Sequence, residues 1–186
     1  MRAMIAAVTV AGFLASTTYG LACGTERWPV KTGTDRDAGN VNMAAQPATV
    51  SALRSIRPAP PNPNARRETS VAPTELTTVA VAAILRVIKR EKDQDYHLVI
   101  ADPHTGETMI IESPDPSCAA GSRFAADIAE VRKEIDKRFH GPIAGRHQVN
   151  IPVNVTGVAF FDPLHGQEGV APNGIELHPI LSISFD

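Results

Sequence analysis

The chain has 186 residues and a mass of 19.8 kDa, with 18 Lys and Arg against 20 Asp and Glu. This length excludes a complete TIM barrel, which needs about 250 residues. The near balance of charge, with a formal net charge of -2, gives no signature of polyanion binding.

Residues 1–22 have the pattern of a secretory signal peptide. Arg2 gives a positive start, residues 5–15 form an apolar run, and Gly20 and Ala22 place small residues before the expected cleavage site. The apolar run is shorter than the roughly 20 residues of a membrane-spanning helix. We therefore expect an exported protein, secreted or periplasmic, with no transmembrane segment after cleavage behind Ala22.

Cys23 and Cys118 are the only cysteines of the chain. In an oxidising compartment we expect them to form a disulfide, which closes a loop of about 95 residues and stabilises the fold by about 4 kcal/mol. The alternative is a lipoprotein with a lipid on Cys23. We rank it second because Gly20 stands where lipoprotein signals usually carry an aliphatic residue.

Residues 23–73 are predicted to be a loose proline-rich segment, with seven prolines and with seven Lys and Arg against four Asp and Glu. The run RPAPPNPN at 57–64 predicts an extended linker, because proline offers no backbone donor. Trp28 is expected to dock on the neighbouring domain, since burial of its large ring is favourable. The basic segment is expected to lie against an acidic domain.

Residues 74–186 form that acidic domain, with 16 Asp and Glu against 10 Lys and Arg. Residues 76–88 are rich in β-branched side chains and predict a strand, although the alanines within them leave a helix open. Two apolar runs, 96–101 and 108–112, flank a turn with proline and glycine and predict a hairpin.

A change of period marks the rest of the domain. Apolar residues from Phe124 to Phe139 recur every three or four positions and predict one helix, capped by Ser122 and ended by Gly141. Residues 148–161 and 175–185 predict two more strands. The order β-β-β-α-β-β predicts a mainly β fold with one helix, an OB-like five-stranded barrel over 74–186. The alternative is a helix packed on an open five-stranded sheet.

Four stretches resemble a family of uncharacterised exported bacterial proteins. They are ERWPVKT at 26–32, DYHLVI at 95–100, FFDPLHGQ at 160–167 and APNGIELHP at 171–179. The resemblance covers nearly all of the mature chain. It implies export from a bacterial cell and implies no activity.

The OB-like order brings two loops, 89–94 and 162–174, to one edge, where OB-folds bind ligands. Near the first loop Glu91, Asp93, Asp95 and His97 alternate, so an extended chain puts them on one side. Such a set suits Ca²⁺, or Zn²⁺ or Mn²⁺ if His97 takes part. Neighbouring basic side chains favour a merely solvated turn instead.

The second group combines His165 with Glu176 and His178. These side chains suit acid and base catalysis or a catalytic Zn²⁺. No zinc signature such as H-E-x-x-H occurs, so hydrogen bonds within their own loop and strand are the alternative.

We therefore predict a non-catalytic module that binds a small molecule, a saccharide or an envelope protein. We expect no cofactor, and a divalent metal ion is the one exception left open. The alternative is a metal-dependent hydrolase of phosphodiesterase or nuclease type, so enzymatic activity stays open. Nucleic acid is disfavoured as a partner because the domain is acidic and has few aromatic residues. The candidate binding residues are Asp93, Asp95, His97, His165, Gln167, Asn173, Glu176 and His178. The candidate metal ligands are Asp93, Asp95, His97, His165 and His178.

Overall fold

The structure is a computed structural model and describes residues 23–58, 66–67 and 74–186. The signal peptide expected at 1–22 and most of the linker expected at 57–64 lie outside these residues. The strands are β1 Asn42–Ala48, β2 Thr77–Arg90, β3 Tyr96–Ala101, β4 Thr108–Ser113, β5 Arg146–Phe161 and β6 Ile175–Phe185. The helices are α1 Trp28–Thr32, α2 Val50–Arg54 and α3 Ala125–Arg138, with short 3₁₀ turns at Ala38–Asn40, Thr74–Leu76 and Pro116–Ala119.

The six strands belong to one sheet. β2 pairs antiparallel with both β3 and β5, β3 pairs antiparallel with β4, β4 pairs parallel with β6, and β6 pairs antiparallel with β5. The pairing therefore runs through β2, β3, β4, β6 and β5 and returns to β2. β1 pairs parallel with β2 outside this ring.

The mainly β character and the single long helix predicted from the sequence are confirmed. β2 is a strand across its alanines, because buried Val79, Val81 and Ala83 alternate along it. The expected strand count of five omits β1, however. The sequence of β1, NMAAQPA, shows no alternation and six of its seven residues are exposed, so no apolar pattern marks it.

Helix α3 packs against β6 and buries Ile128, Val131 and Ile135. It begins at Ala125, two residues later than a Ser122 cap requires. The Ser122 hydroxyl instead accepts the Phe124 N–H at 2.9 Å, and no side chain caps the helix itself. The helix ends at Arg138, and His140, with a left-handed φ of 60°, breaks the helical path one residue before the expected Gly141.

The N-terminal segment lies against the rest of the protein, as expected from its charge. Arg27 donates to both carboxylate oxygens of Glu75 at 2.7 Å, and both side chains are buried. The predicted disulfide joins Cys23 to Cys118, with Cα atoms 5.8 Å apart. Because this bond uses the Cys23 sulfur, a lipid cannot be attached there at the same time.

Within the described ranges, none of the helices has the length and apolar character needed to cross a bilayer.

Candidate functional site

A cavity of about 790 Å³ lies between the N-terminal segment and two loops of the sheet. Its wall includes residues of the β2–β3 connection and of the β5–β6 connection. These are the two loops that the sequence predicts at one edge, so their juxtaposition is confirmed. The volume falls within the range of about 300–1,000 Å³ that is usual for small-molecule sites.

Strand register brings acidic and histidine side chains together beside this cavity. His97 on β3 is paired with Glu112 on β4, and Ile110 on β4 is paired with Glu176 on β6. Since alternate residues share a face, Glu112 lies beside His178, two residues after Glu176. At least one apolar residue adjoins each of these positions along its strand, so the polar side chains are held in buried surroundings.

Glu112 is the centre of the cluster. Its Oε1 lies 2.8 Å from His97 Nδ1 and its Oε2 lies 3.1 Å from His178 Nδ1. Burial by itself raises the pKa of this carboxyl, but the two imidazoles and Lys31 outweigh burial and hold the pKa well below its usual range. Glu112 is therefore ionised at neutral pH.

His97 is fully engaged. Its Nδ1 faces Glu112, and its Nε2 lies 3.0 Å from the backbone carbonyl oxygen of Glu168. Glu91, from the alternating set that the sequence singles out, is 3.6 Å from the same Nδ1 and forms an ion pair with Lys89. Both ring nitrogens of His97 thus face oxygen atoms.

His178 has 0% exposure, and neither of its ring nitrogens has a hydrogen-bond partner of good geometry in the described part of the chain. Burial lowers its pKa, although Glu112 opposes the shift. Its Nε2 lies 3.6 Å from Asp95 Oδ2. Burial, together with the charges of Asp93 and Glu112, raises the pKa of Asp95 to about 9, so this carboxyl is protonated at neutral pH.

Glu176 contrasts with Glu112. Burial, followed by the negative charges of Glu112 and Asp162, raises the pKa of Glu176 well above its usual value. Its Oε2 has no hydrogen-bond partner among the described residues, although the side chain lines the cavity. Two glutamates at the cavity wall, Glu112 and Glu176, therefore have pKa values displaced in opposite directions.

Lys31 brings a cation from α1 to this acidic cluster. Its ammonium lies 2.8 Å from Asp162 Oδ1 and 5.5 Å from the centre of the Phe160 ring. Burial alone lowers the pKa of Lys31, but the carboxylates of Asp162, Glu112 and Glu176 raise it above the usual value. α1 thus supplies charge compensation as well as a wall of the cavity.

His165 lies apart from His178. It is 57% exposed, and its Nε2 is 3.5 Å from Asp162 and 4.0 Å from Glu26. The side-chain amide of Gln167 donates to Asp162 Oδ2 at 2.9 Å. The structure therefore places His165 and Gln167 at the cavity mouth.

Asn173 has a structural position. Its amide donates to the carbonyl oxygens of Leu53 and Ile56, each at 2.9 Å, and so holds the end of α2.

Asp93 lines the cavity, accepts the Asp95 N–H at 3.3 Å, and has a pKa raised by burial.

Sequence reasoning missed Lys31, Glu112 and Asp162. Glu112 carries a usable signal, because it is an acidic residue at the end of an apolar strand in the predicted hairpin. The pairing of that hairpin puts it opposite His97. Lys31 carries none, because only the docking of α1 brings it near Asp162.

No protein-family model matches the chain, and no curated protein matches it either.

Proposed function

We propose that the chain is an exported protein built on an OB-like five-stranded barrel and that it binds a neutral polyhydroxylated ligand, such as a saccharide, in the cavity. Support for the barrel comes from the ring of pairings through β2, β3, β4, β6 and β5. α3 lies between β4 and β5 in the chain, which are the third and fourth strands of the ring in chain order. The disulfide supports export, since such bonds persist in oxidising compartments.

The observation that carries the ligand proposal is the Glu176 carboxyl. Its Oε2 is buried at the wall of the cavity and has no hydrogen-bond partner in the described ranges. A buried polar atom left unsatisfied costs about 1–3 kcal/mol. A ligand hydroxyl both donates and accepts, so it satisfies this carboxyl whether or not the carboxyl is protonated.

The charges around the cavity favour a neutral ligand. Lys31 is paired with Asp162, and Lys89 is paired with Glu91, so neither sign of charge dominates the wall. Trp28 lines the same cavity and offers a large apolar face beside these polar groups. OB-folds bind oligosaccharides through the two equivalent loops and through the second and third strands of the barrel, which correspond to β3 and β4 here.

Fluorescence of Trp28, the only tryptophan, tests the proposal directly. Glucose, N-acetylglucosamine, cellobiose and chitobiose serve as neutral probes, with glucosamine and glucuronate as charged counterparts. We expect a saturable change with at least one neutral saccharide and weaker binding of its charged counterpart. Isothermal calorimetry provides a second measurement that does not depend on Trp28.

The matched variants are Glu176→Leu and Glu168→Leu. Glu168 is 41% exposed and is paired with Arg146 outside the cavity wall, so its variant controls for the loss of one carboxylate. Leucine has no polar atom to meet a ligand hydroxyl, so we expect Glu176→Leu to weaken saccharide binding about tenfold, since each tenfold step is about 1.4 kcal/mol, and Glu168→Leu to leave binding unchanged. If no neutral saccharide binds by either method, the proposal is wrong.

Hydrolysis of the bound saccharide is the second candidate, favoured by the raised pKa of Glu176 and the lowered pKa of Glu112. Two carboxyl groups whose pKa values are driven apart suit the acid and base of a glycoside hydrolase. Release of monosaccharide from chitobiose by the wild type, lost in Glu176→Gln, supports this candidate. Binding without turnover leaves the non-catalytic function.

A further inference from the structure

Three groups of acidic and histidine side chains bring their ligand atoms within 4.8 Å of one another in the described part of the chain. They are Glu26–Asp162–His165, Glu91–His97–Glu112 and Asp95–Glu112–His178. We propose that the third group, Asp95, Glu112 and His178, binds a divalent transition-metal ion, with Zn²⁺ as the best match. This proposal is independent of the saccharide proposal.

The first two groups are less suited to an ion. The first group, Glu26–Asp162–His165, is the outer group. In it Asp162 already has the Lys31 ammonium at 2.8 Å and the Gln167 amide at 2.9 Å, and His165 is open to water. In the second group both nitrogens of His97 face oxygen atoms, so its ring has no free lone pair to offer.

The third group is buried and has free ligand atoms. Asp95, Glu112 and His178 are 1%, 8% and 0% exposed. Asp95 Oδ2 and His178 Nε2 have no hydrogen-bond partner among the described residues, whereas His178 Nδ1 faces Glu112 Oε2 at 3.1 Å. Because buried polar atoms are nearly always satisfied in folded proteins, two such atoms at one place point to a ligand.

The spacing also suits an ion. Asp95 Oδ2 and His178 Nε2 are 3.6 Å apart, which is too long for a hydrogen bond. Two ligand atoms of one tetrahedral zinc, each about 2.0–2.2 Å from the metal, lie about 3.4 Å from each other. One ligand atom of Glu112 lies within 4.8 Å of those of Asp95 and His178, so the three side chains form one set, and Glu112 Oε2 faces the other ring nitrogen of His178, Nδ1, at 3.1 Å.

The surrounding contacts orient the carboxylates as metal ligands are usually oriented. The Asp115 N–H donates to Asp95 Oδ1 at 3.1 Å and leaves Oδ2 free. His97 Nδ1 lies 2.8 Å from Glu112 Oε1 and leaves Oε2 on the side of His178. Partners of this kind fix the direction of ligating groups and are typical of metal sites.

The ligand chemistry selects the ion. An imidazole nitrogen with two carboxylates suits Zn²⁺ or Mn²⁺, whereas Ca²⁺ takes six to eight oxygen ligands and Mg²⁺ keeps several waters. Glu112 lines the cavity, so the group adjoins a route from solvent.

The test uses untagged full-length mature protein purified without chelator, followed by elemental analysis. We expect one zinc per chain, and we expect protein stripped by chelator to rebind Zn²⁺ in calorimetry and to prefer it over Ca²⁺. At zinc concentrations on the order of 100 times the Kd, the melting temperature should rise by about 5 °C.

Asp95→Asn and His178→Gln are the decisive variants, and each should weaken Zn²⁺ binding by at least about 100-fold. Asp95→Asn keeps an acceptor for the Asp115 N–H, so it decides the question if His178→Gln fails to fold. His165→Ala and Glu176→Gln are the controls and should bind Zn²⁺ like the wild type. Absence of zinc together with absence of any melting shift overturns the proposal, as does loss of zinc in His165→Ala but not in Asp95→Asn.

Discussion

The buried group Asp95–Glu112–His178 and the outer group Glu26–Asp162–His165 contain the same residue types in different surroundings. The imidazole is 0% exposed in the first and 57% exposed in the second. In the buried group, removal of water shifts the pKa values of all three side chains. In the outer group, Glu26 and His165 are more than half exposed, so water solvates and screens them, whereas buried Asp162 is paired with Lys31. Residue type therefore matters less than the depth at which the fold places it.

α1 adds positive charge near both groups. It lies beside the cavity, and its Lys31 forms an ion pair with Asp162 of the outer group while adding positive charge near Glu112 and Glu176. The following variants loosen the attachment of the α1 segment, remove single members of the two groups, or break an exposed ion pair for comparison.

The largest effect is expected from loss of the disulfide that tethers the α1 segment. The double variant Cys23→Ser/Cys118→Ser should lower the free energy of unfolding by about 4 kcal/mol, because the unfolded chain regains the entropy of a long loop. Urea denaturation measures this change. Dithiothreitol should destabilise the wild type to the same level and leave the variant unaffected; a wild type insensitive to the reductant would contradict the prediction.

Removal of a carboxylate should separate the two groups clearly. Glu112→Ala should lower the free energy of unfolding by about 3 kcal/mol, because His97 and His178 lose their buried counter-charge. Glu26→Ala, whose side chain is 62% exposed, should change it by no more than about 0.5 kcal/mol. Equal losses in the two variants would show that depth does not distinguish the groups.

A smaller effect is expected at the end of α1. Gly33 has a φ of 69°, and a Cβ there would lie 2.2 Å from Phe124 Cδ2. Gly33→Ala should cost about 2 kcal/mol in urea denaturation, since both the left-handed backbone and the contact oppose a side chain.

Gly39→Ala is the matched control for this position. A Cβ on Gly39 meets no atom within 4 Å, so we expect a change within about 0.5 kcal/mol. A Gly33→Ala variant as stable as Gly39→Ala would mean that α1 does not pack against Phe124 as described.

The smallest effect is expected at an exposed ion pair. Arg146 and Glu168 are 46% and 41% exposed and lie 2.6 Å apart. Arg146→Ala should leave the urea midpoint unchanged within error, because solvent and salt screen the pair. Lys31→Met, which removes the partner of buried Asp162, should lower the midpoint under the same conditions. A reversed order of the two variants would contradict the comparison.

Local patterns were sufficient to predict most of the regular structure. The runs at 96–101 and 175–185 coincide with β3 and β6, and the spacing from Phe124 onward marks α3. These elements bury one face or one strip, so their periodicity is visible in the sequence. β1 escaped because it is held by backbone pairing with β2 while its side chains are mostly exposed.

The candidate site was predictable only in part. Alternation along β6 puts Glu176 and His178 on one face, and the OB-like order predicts that the two loops meet. The sequence could not tell that His178 would meet Glu112 and Asp95 while His165 stayed at the mouth. That outcome depends on the register between β4 and β6, which no local pattern specifies.

The sequence by itself determined the strands β3 to β6 and the helix α3, and it favoured both a strand at β2 and a disulfide between its only two cysteines, because apolar periodicity and residue identity are local properties. Only the tertiary structure decided which carboxyl groups lie in water and which are buried. The reason is physical: the protonation of an acid depends on its desolvation and on charges brought from distant parts of the chain, as Lys31 is brought to Asp162.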